Sequence, residues 1–160
     1  NSIYKRIDPH PNFTEVTFEC TFNGVLPCLN VMVKDDSQKE TFKVISPNLY
    51  FSAAQMNVLS LSIFLARAMN ATDVNNARIN TILIDDPIHS MDSINILAVI
   101  DLLRSISERM GKQIIISTHD ENFYELLKRK MPSNYCNSKF VRLTSFGVSE
   151  IDHALNVSNI

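Results

Sequence analysis

The 160-residue sequence has only three glycines, no tryptophan and no marked excess of either charge. Gly24, Gly111 and Gly147 lie far apart, and none belongs to a GxxxxGK(S/T) motif, so the sequence contains no phosphate-binding P-loop. Its 15 basic and 17 acidic residues give a formal net charge of −2. A global basic field that would attract nucleic acid is therefore excluded.

Cysteines and long apolar runs are also scarce. Cys20, Cys28 and Cys136 form no CxxC pair, and an odd number without a framework indicates reduced thiols in the cytoplasm. No apolar run reaches the roughly 18 residues of a membrane span. The first ten residues lack the apolar segment of a signal peptide. We therefore expect a cytoplasmic protein that does not contact a membrane.

The sequence does have the composition of a globular protein, with 45% hydrophobic and 20% charged residues. Its length suits one domain over residues 1–160. We expect a β-rich section over 1–50, a central section over 51–131 and a closing hairpin section over 132–160.

The hydrophobic period changes once along the sequence. Alternating residues predict three antiparallel strands over 13–22, 25–35 and 40–46, with turns at Asn23-Gly24 and Asp35-Asp36-Ser37. From residue 52 the pattern predicts helix, strand, helix, strand and helix, over 52–69, 81–86, 93–110, 112–118 and 120–131, and then a hairpin over 139–153. The first helix carries an expected apolar stripe at Met56, Leu59, Ile63 and either Ala66 or Arg67. Both predicted strands have a continuous apolar run, ILI at 82–84 and III at 114–116, as parallel strands covered on both faces have. The fold class is therefore predicted as α/β and three-layered, with N-terminal antiparallel strands followed by a parallel core sheet.

Polar side chains follow both predicted parallel strands. Asp85 and Asp86 end the first strand, and His119 and Asp120 follow the second. Ligands of open parallel sheets bind beyond the carboxyl ends of the strands, so these groups should meet at one edge. There, one carboxylate could hold Mg²⁺ and the other could orient or activate water, whereas the alternative is that the aspartates only cap the next helix.

Ser52 to Gln55 fits two roles. The S-x-x-Q pattern predicts a capping box, with Ser52 as the N-cap of the helix. A helix N-terminus with free N–H groups also binds phosphate. Both roles are compatible.

Four short segments together resemble a known family. FSAAQ (51–55), ILIDDP (82–87), HSMD (89–92) and IIISTHD (114–120) are similar, in this order, to the signature, Walker B, D-loop and switch-histidine motifs of ABC-type ATPase heads. The similarity is to the C-terminal half of the heads of structural-maintenance-of-chromosomes (SMC) proteins and of the SbcC, RecF and RecN repair ATPases. It covers about residues 13–150 and is strongest over 51–120. The resemblance implies half of a P-loop NTPase head, with ATP and Mg²⁺ as its cofactors.

The resemblance also implies roles for individual residues. Asp85 would hold Mg²⁺, Asp86 would polarise the attacking water, and His119 would contact the γ-phosphate. Asp92 would organise the dimer interface. The signature residues would grip the γ-phosphate of ATP bound to the opposite protomer, and they are Ser52, Ala53, Ala54 and Gln55.

The sequence departs from the family pattern at several positions. The Walker A lobe is absent, so we expect a fragment whose N-terminal lobe is separated from it by a coiled coil in a longer protein. Asp86 replaces a glutamate and is shorter by one methylene, and Ala53-Ala54 replaces a glycine pair. The long polar loop over 70–80 is similar to that of the SMC and SbcC branch.

The expected function is ATP hydrolysis at a head–head dimer in DNA repair, chromosome maintenance or anti-phage defence. The expected partners are the N-terminal lobe, a second head and DNA. One alternative is a degenerate lobe that dimerises without turnover. Another is a metal-dependent nuclease using Asp85 and Asp86, although the sequence offers no convincing further carboxylate motif for it.

Overall fold

The computed structural model of the protein describes residues 1–8, 12–22, 26–35 and 43–152. The chain divides into two compact units, one comprising Asn1–Ile79 and Ile88–Ala98 and the other Asn80–Pro87 and Val99–Ile160. The elements are α1 (Ser2–Ile7), β1 (Phe13–Thr21), β2 (Cys28–Asp35), β3 (Lys43–Ile45), α2 (Ala53–Met69), β4 (Thr81–Asp85), α3 (Ser93–Met110), β5 (Gln113–Ser117), α4 (Glu121–Lys130), α5 (Ser133–Cys136), β6 (Phe140–Ser145) and β7 (Val148–Asp152).

The first unit contains the antiparallel sheet β1–β2–β3, as the alternating pattern predicted. Val33 pairs with both Val16 and Ile45, and all three side chains are buried. Helix α1 was not predicted, and Asn1 ties it to the sheet by two hydrogen bonds with the backbone of Val16. The predicted turns at Asn23-Gly24 and at Asp36-Ser37 lie outside the described residues.

Helix α2 follows a 3₁₀ turn over Pro47–Leu49 and has the predicted length. Its buried side chains are Val58, Leu59, Leu61, Ser62 and Leu65. The predicted stripe was wrong apart from Leu59, because the buried face is rotated toward Val58 and Leu65. Leucine, isoleucine and methionine occur all around this helix, so periodicity alone did not fix which of them faces the core.

The second unit contains the parallel pair β4–β5, in which Ile82 pairs with Ile114 and Leu83 with Ile115. Ile82 is buried on one face of the pair. Leu83 and Ile115, on the other face, are 68% and 49% exposed. Among the described residues, the cover expected on both faces of the pair is therefore present on only one of them.

The part of α3 from Val99 onward and helix α4 belong to the same unit as the β6–β7 hairpin. The predicted helix over 93–110 matches α3, and Gly111 follows it with a φ of 63°. The buried residues of this unit from α3 to β6 are Val99, Ile100, Leu102, Leu103, Ile106, Lys112, Phe123, Leu127 and Phe140. The hairpin turns at Gly147, as predicted, with a φ of 75°.

A charged cluster joins α4 to the hairpin. Arg142 lies 2.6 Å from Glu121 and stacks 4.9 Å from the centre of the Tyr124 ring. Lys128 lies 3.0 Å from Asp152, which also accepts a hydrogen bond from the Tyr124 hydroxyl. The hydrogen bond from Arg142 lowers the pKa of Glu121, and the hydrogen bond from Lys128 lowers the pKa of Asp152. These contacts orient the hairpin against the helix that begins just after His119.

Within the described ranges, every helix is too short or too polar to cross a membrane.

The buried Tyr4 side chain gives a testable prediction about the stability of the first unit. Its side chain is 1% exposed, and its hydroxyl has no hydrogen-bond partner among the described residues. Burial, and to a smaller extent Asp8, raises the pKa of Tyr4 to about 12. The unfolded chain ionises first as the pH rises, so this group lowers stability progressively from the unfolded pKa of 10.0 up to that value.

Tyr4→Phe should therefore leave the free energy of unfolding at pH 7 unchanged or raise it, and should remove part of the loss above pH 10. Urea unfolding at pH 7 and above pH 10 measures both effects, and Tyr135→Phe, at an exposed tyrosine, is the control. A loss of more than about 1 kcal/mol at pH 7 in Tyr4→Phe would show that the hydroxyl is bonded in the folded protein.

Candidate functional site

The candidate site begins where β4 ends. The Asp86 N–H donates to the Ser117 carbonyl at 2.8 Å, which extends the β4–β5 ladder one residue past Asp85. Asp86 has a φ of 43°, in the left-handed region, and Pro87 follows it. The backbone therefore leaves the sheet at the position that carries the predicted catalytic carboxylate.

Asp86 meets the residues that follow β5. Its Oδ1 accepts a hydrogen bond from the Thr118 hydroxyl at 3.0 Å, and its Oδ2 lies 2.8 Å from His119 Nδ1. The Asp86 side chain is 26% exposed, whereas that of His119 is 83% exposed. The predicted juxtaposition of the acidic pair and the imidazole at one sheet edge is confirmed.

The contact with Asp86 determines which imidazole nitrogen is engaged. Because Nδ1 faces a carboxylate oxygen, Nδ1 carries a proton, and Nε2 is the nitrogen open to another ligand. In the neutral ring Nε2 is an acceptor, so it can donate to a phosphate oxygen only in the imidazolium form. An imidazolium at this place would complement both Asp86 and an anionic ligand.

Asp85 has a different partner. Its Oδ1 accepts a hydrogen bond from the Ser117 hydroxyl at 2.5 Å, and the two residues are paired across the strands. The Asp85 side chain is exposed, and its second oxygen could ligate a hard cation. Within the described ranges, no group of three or more His, Cys, Asp or Glu side chains is placed to hold a metal ion.

Ser117 and Thr118 were not identified as site residues from the sequence. Each donates to one of the paired aspartates, Ser117 to Asp85 and Thr118 to Asp86. A parallel register between the two apolar strands pairs Asp85 with Ser117. The polar residues at the end of the second strand were therefore the sequence signal for these two site residues, but their partners could be assigned only once the strand register was known.

The predicted signature segment, residues 51–55, lies in the first unit and forms a complete capping box. The Gln55 N–H donates to Ser52 Oγ at 3.3 Å, and the Ser52 N–H donates to Gln55 Oε1 at 2.9 Å. This confirms the predicted cap of α2. The N–H groups of Ala53 and Ala54 precede the first intrahelical bond and take no part in the box.

Asp92 also lies in the first unit, and it acts as a helix cap. Its Oδ1 accepts a hydrogen bond from the Asn95 N–H at 2.8 Å at the start of α3, while its side chain remains exposed. The preceding segment is held to α2 by a hydrogen bond from the Asn57 amide to the His89 carbonyl. The interface role of Asp92 stays a prediction.

Comparisons with known proteins identify a similar fold. No model of a protein family matches the sequence. Two curated Staphylococcus aureus proteins, one from strain MRSA252, are 26% identical over 137 residues, and both are described as the uncharacterized chromosomal cassette SCCmec type IVc protein CR006. The match covers 69% of this chain and 19% of each relative, so the chain spans about a fifth of their length.

A solved structure from work on ATP-driven dimerization and DNA-stimulated activation of SMC ATPases superposes with a TM-score of 0.55. The two chains are 14% identical, and the match covers 98% of this chain and 80% of the other. The chain therefore has a mixed α/β fold similar to that of an SMC ATPase.

The capping box generates a stability prediction. Ser52→Ala should lower the free energy of unfolding by about 1 kcal/mol, because it leaves a helix N–H without its acceptor. Ser52→Asp should retain the stability, since aspartate caps helices as well as serine does. Urea unfolding measures both variants, with Ser60→Ala, on the exposed side of the same helix, as the control. Equal stability of Ser52→Ala and Ser60→Ala would contradict a stabilising cap.

Proposed function

We propose that this chain is the C-terminal lobe of an SMC-like ATPase head, which hydrolyses ATP with Mg²⁺ at a head–head dimer. Two observations support the proposal. The fold is similar to that of an SMC ATPase, and the sequence contains four motifs of such a head in the expected order.

The observation that carries the proposal is the contact between Asp86 and His119. The two side chains come from adjacent parallel strands and meet at 2.8 Å beyond their carboxyl ends. A carboxylate that orients water and accepts its proton, and a donor to a phosphate oxygen, are the groups that phosphoryl transfer uses beside its metal ion. Asp85, next to this pair, would hold Mg²⁺.

The signature segment would act on a second protomer. Its capping box engages Ser52 and Gln55, which leaves the N–H groups of Ala53 and Ala54 for an anion. These groups, together with Asp92, would face ATP bound to the opposite head. Dimerisation would then be coupled to ATP, as it is in that SMC ATPase.

The exposed face of the β4–β5 pair fits a missing partner lobe. Parallel strands are usually covered on both faces, and Leu83 and Ile115 are exposed here. In this proposal the N-terminal Walker A lobe of the same protein covers them and supplies the phosphate-binding loop. DNA would be a partner of the complete protein, in repair, chromosome maintenance or defence.

The catalytic assignment is tested in the complete protein by Asp86→Asn. The amide cannot accept a proton from water, so kcat should fall by about 10²-fold or more, and an ATP-bound dimer should accumulate. Phosphate release and light scattering with ATP and Mg²⁺ measure the two effects. Asp101→Asn, an exposed aspartate on α3, is the matched control. Hydrolysis by Asp86→Asn at the wild-type rate would contradict the role of Asp86.

The signature assignment is tested by Ser52→Asp. This variant should keep the helix cap but place a negative charge where the γ-phosphate would bind. We expect normal stability and loss of the ATP-dependent dimer. A wild-type yield of dimer in the same light-scattering experiment would restrict Ser52 to capping.

A non-catalytic dimerisation lobe is the second candidate function. It is favoured by the aspartate at position 86 and by the alanine pair at 53–54. DNA-stimulated ATP turnover of the complete protein distinguishes the two functions, since only an active head would show it. The nuclease alternative gains no support from the described part of the chain, where no third metal ligand accompanies Asp85 and Asp86.

A further inference from the structure

We infer that Thr118 is a positioning residue for the Asp86 carboxylate, and that hydrolysis at this head depends on its hydroxyl group. The inference deepens the proposed function and rests on it. Thr118 lies between the switch histidine and β5, and the family motifs assign it no role in this sequence.

The hydrogen-bond pattern around Thr118 fixes the direction of its hydroxyl. The Asp120 N–H donates to Thr118 Oγ1 at 3.1 Å, so the oxygen acts there as an acceptor. The single hydroxyl proton is then free to point at Asp86 Oδ1, 3.0 Å away. Thr118 is therefore a donor to Asp86, and an apolar residue of the same shape could not make this hydrogen bond.

The other end of this chain of contacts is anchored in the core. The Asp120 carboxylate caps α4 by accepting from the Phe123 N–H at 2.8 Å. Phe123 is 1% exposed and is among the most buried side chains of the second unit. The position of Asp86 is thus linked through Thr118 and Asp120 to the packed start of α4.

The contact with His119 restrains the Asp86 carboxylate less than the contact with Thr118 does. The His119 ring is 83% exposed, and it is the group predicted to contact the γ-phosphate. Thr118 is half-buried and bonded on both sides, so it holds the carboxylate whether or not the histidine stays in place. Each carboxylate oxygen accepts in two directions, and both oxygens therefore keep one direction for a water molecule.

The inference is tested with Thr118→Val and Thr118→Ser in the complete protein. Removing the donor should lower kcat by about 10- to 100-fold, because small displacements of a catalytic group cost rates of this order. The KM for ATP and the yield of ATP-dependent dimer should change by less than about twofold, since the contact is to the base and not to the nucleotide. Thr118→Ser, which keeps the hydroxyl, should restore most of the rate.

Two controls separate positioning from a general structural effect. Thr144→Val removes an exposed hydroxyl from β6 and should leave both rate and stability unchanged. In an Asp86→Asn background, Thr118→Val should cause no further loss, because the residue acts through Asp86. Should Thr118→Val fail to fold, Thr118→Cys, whose thiol is a weak donor, replaces it with the same expected loss.

The outcomes distinguish this inference from the proposed function. A wild-type kcat in Thr118→Val, or an equal loss in the Asp86→Asn background, would overturn the inference and leave the ATPase proposal intact. If the complete wild-type protein hydrolyses no ATP with Mg²⁺ and DNA, the proposed function fails. Crystal structures then decide the positioning role alone: an Asp86 carboxylate displaced in Thr118→Val but not in Thr118→Ser supports that role, and an undisplaced carboxylate overturns it.

Discussion

The parallel pairing of β4 with β5 is the constraint on which the candidate site depends. It places Asp85 opposite Ser117 and carries Asp86 one residue further, to the point where Thr118 and His119 begin. A shift of one residue in this register would turn the side chains to the other face and separate these pairs. The buried face of the strand pair, which includes Ile82 and Ile84, thus determines the geometry of the charged groups at its end.

Three residues in or next to the proposed functional motifs also cap helices. Ser52 and Asp92 cap α2 and α3, and Asp120 caps α4. In each case the side chain accepts a hydrogen bond from one N–H group of the first turn, where the positive end of the helix dipole also favours anions. A motif residue of this kind has a structural reason to be present whether or not nucleotide binds, which is why capping and ATP contacts require separate measurements.

Much of the second unit could be predicted from the sequence. The continuous apolar runs before Asp85 and Ser117 gave the two strands, and their polar ends gave the meeting of Asp86 with His119. Thr118 could not be assigned, because its role depends on a hydroxyl direction set by the backbone of Asp120.

The first unit was less predictable in its packing. Helix α2 was located correctly from its cap and its period, but the face that it buries was not, since apolar residues surround it. Helix α1 is too short for a periodic signal, and Asn1 holds it through tertiary hydrogen bonds. Asn76 and Ser90, like Asp86, have positive φ values. Because none of these residues is a glycine, the sequence did not indicate this backbone conformation.

The left-handed backbone at position 86 has a consequence for which acid can stand there. Aspartate and asparagine tolerate this conformation better than other residues with a side chain, because their short polar groups bond locally. A glutamate would reach further but does not share this preference for the left-handed region. Aspartate therefore suits the left-handed backbone of this turn better than glutamate does. Its carboxylate, however, extends less far toward a water molecule.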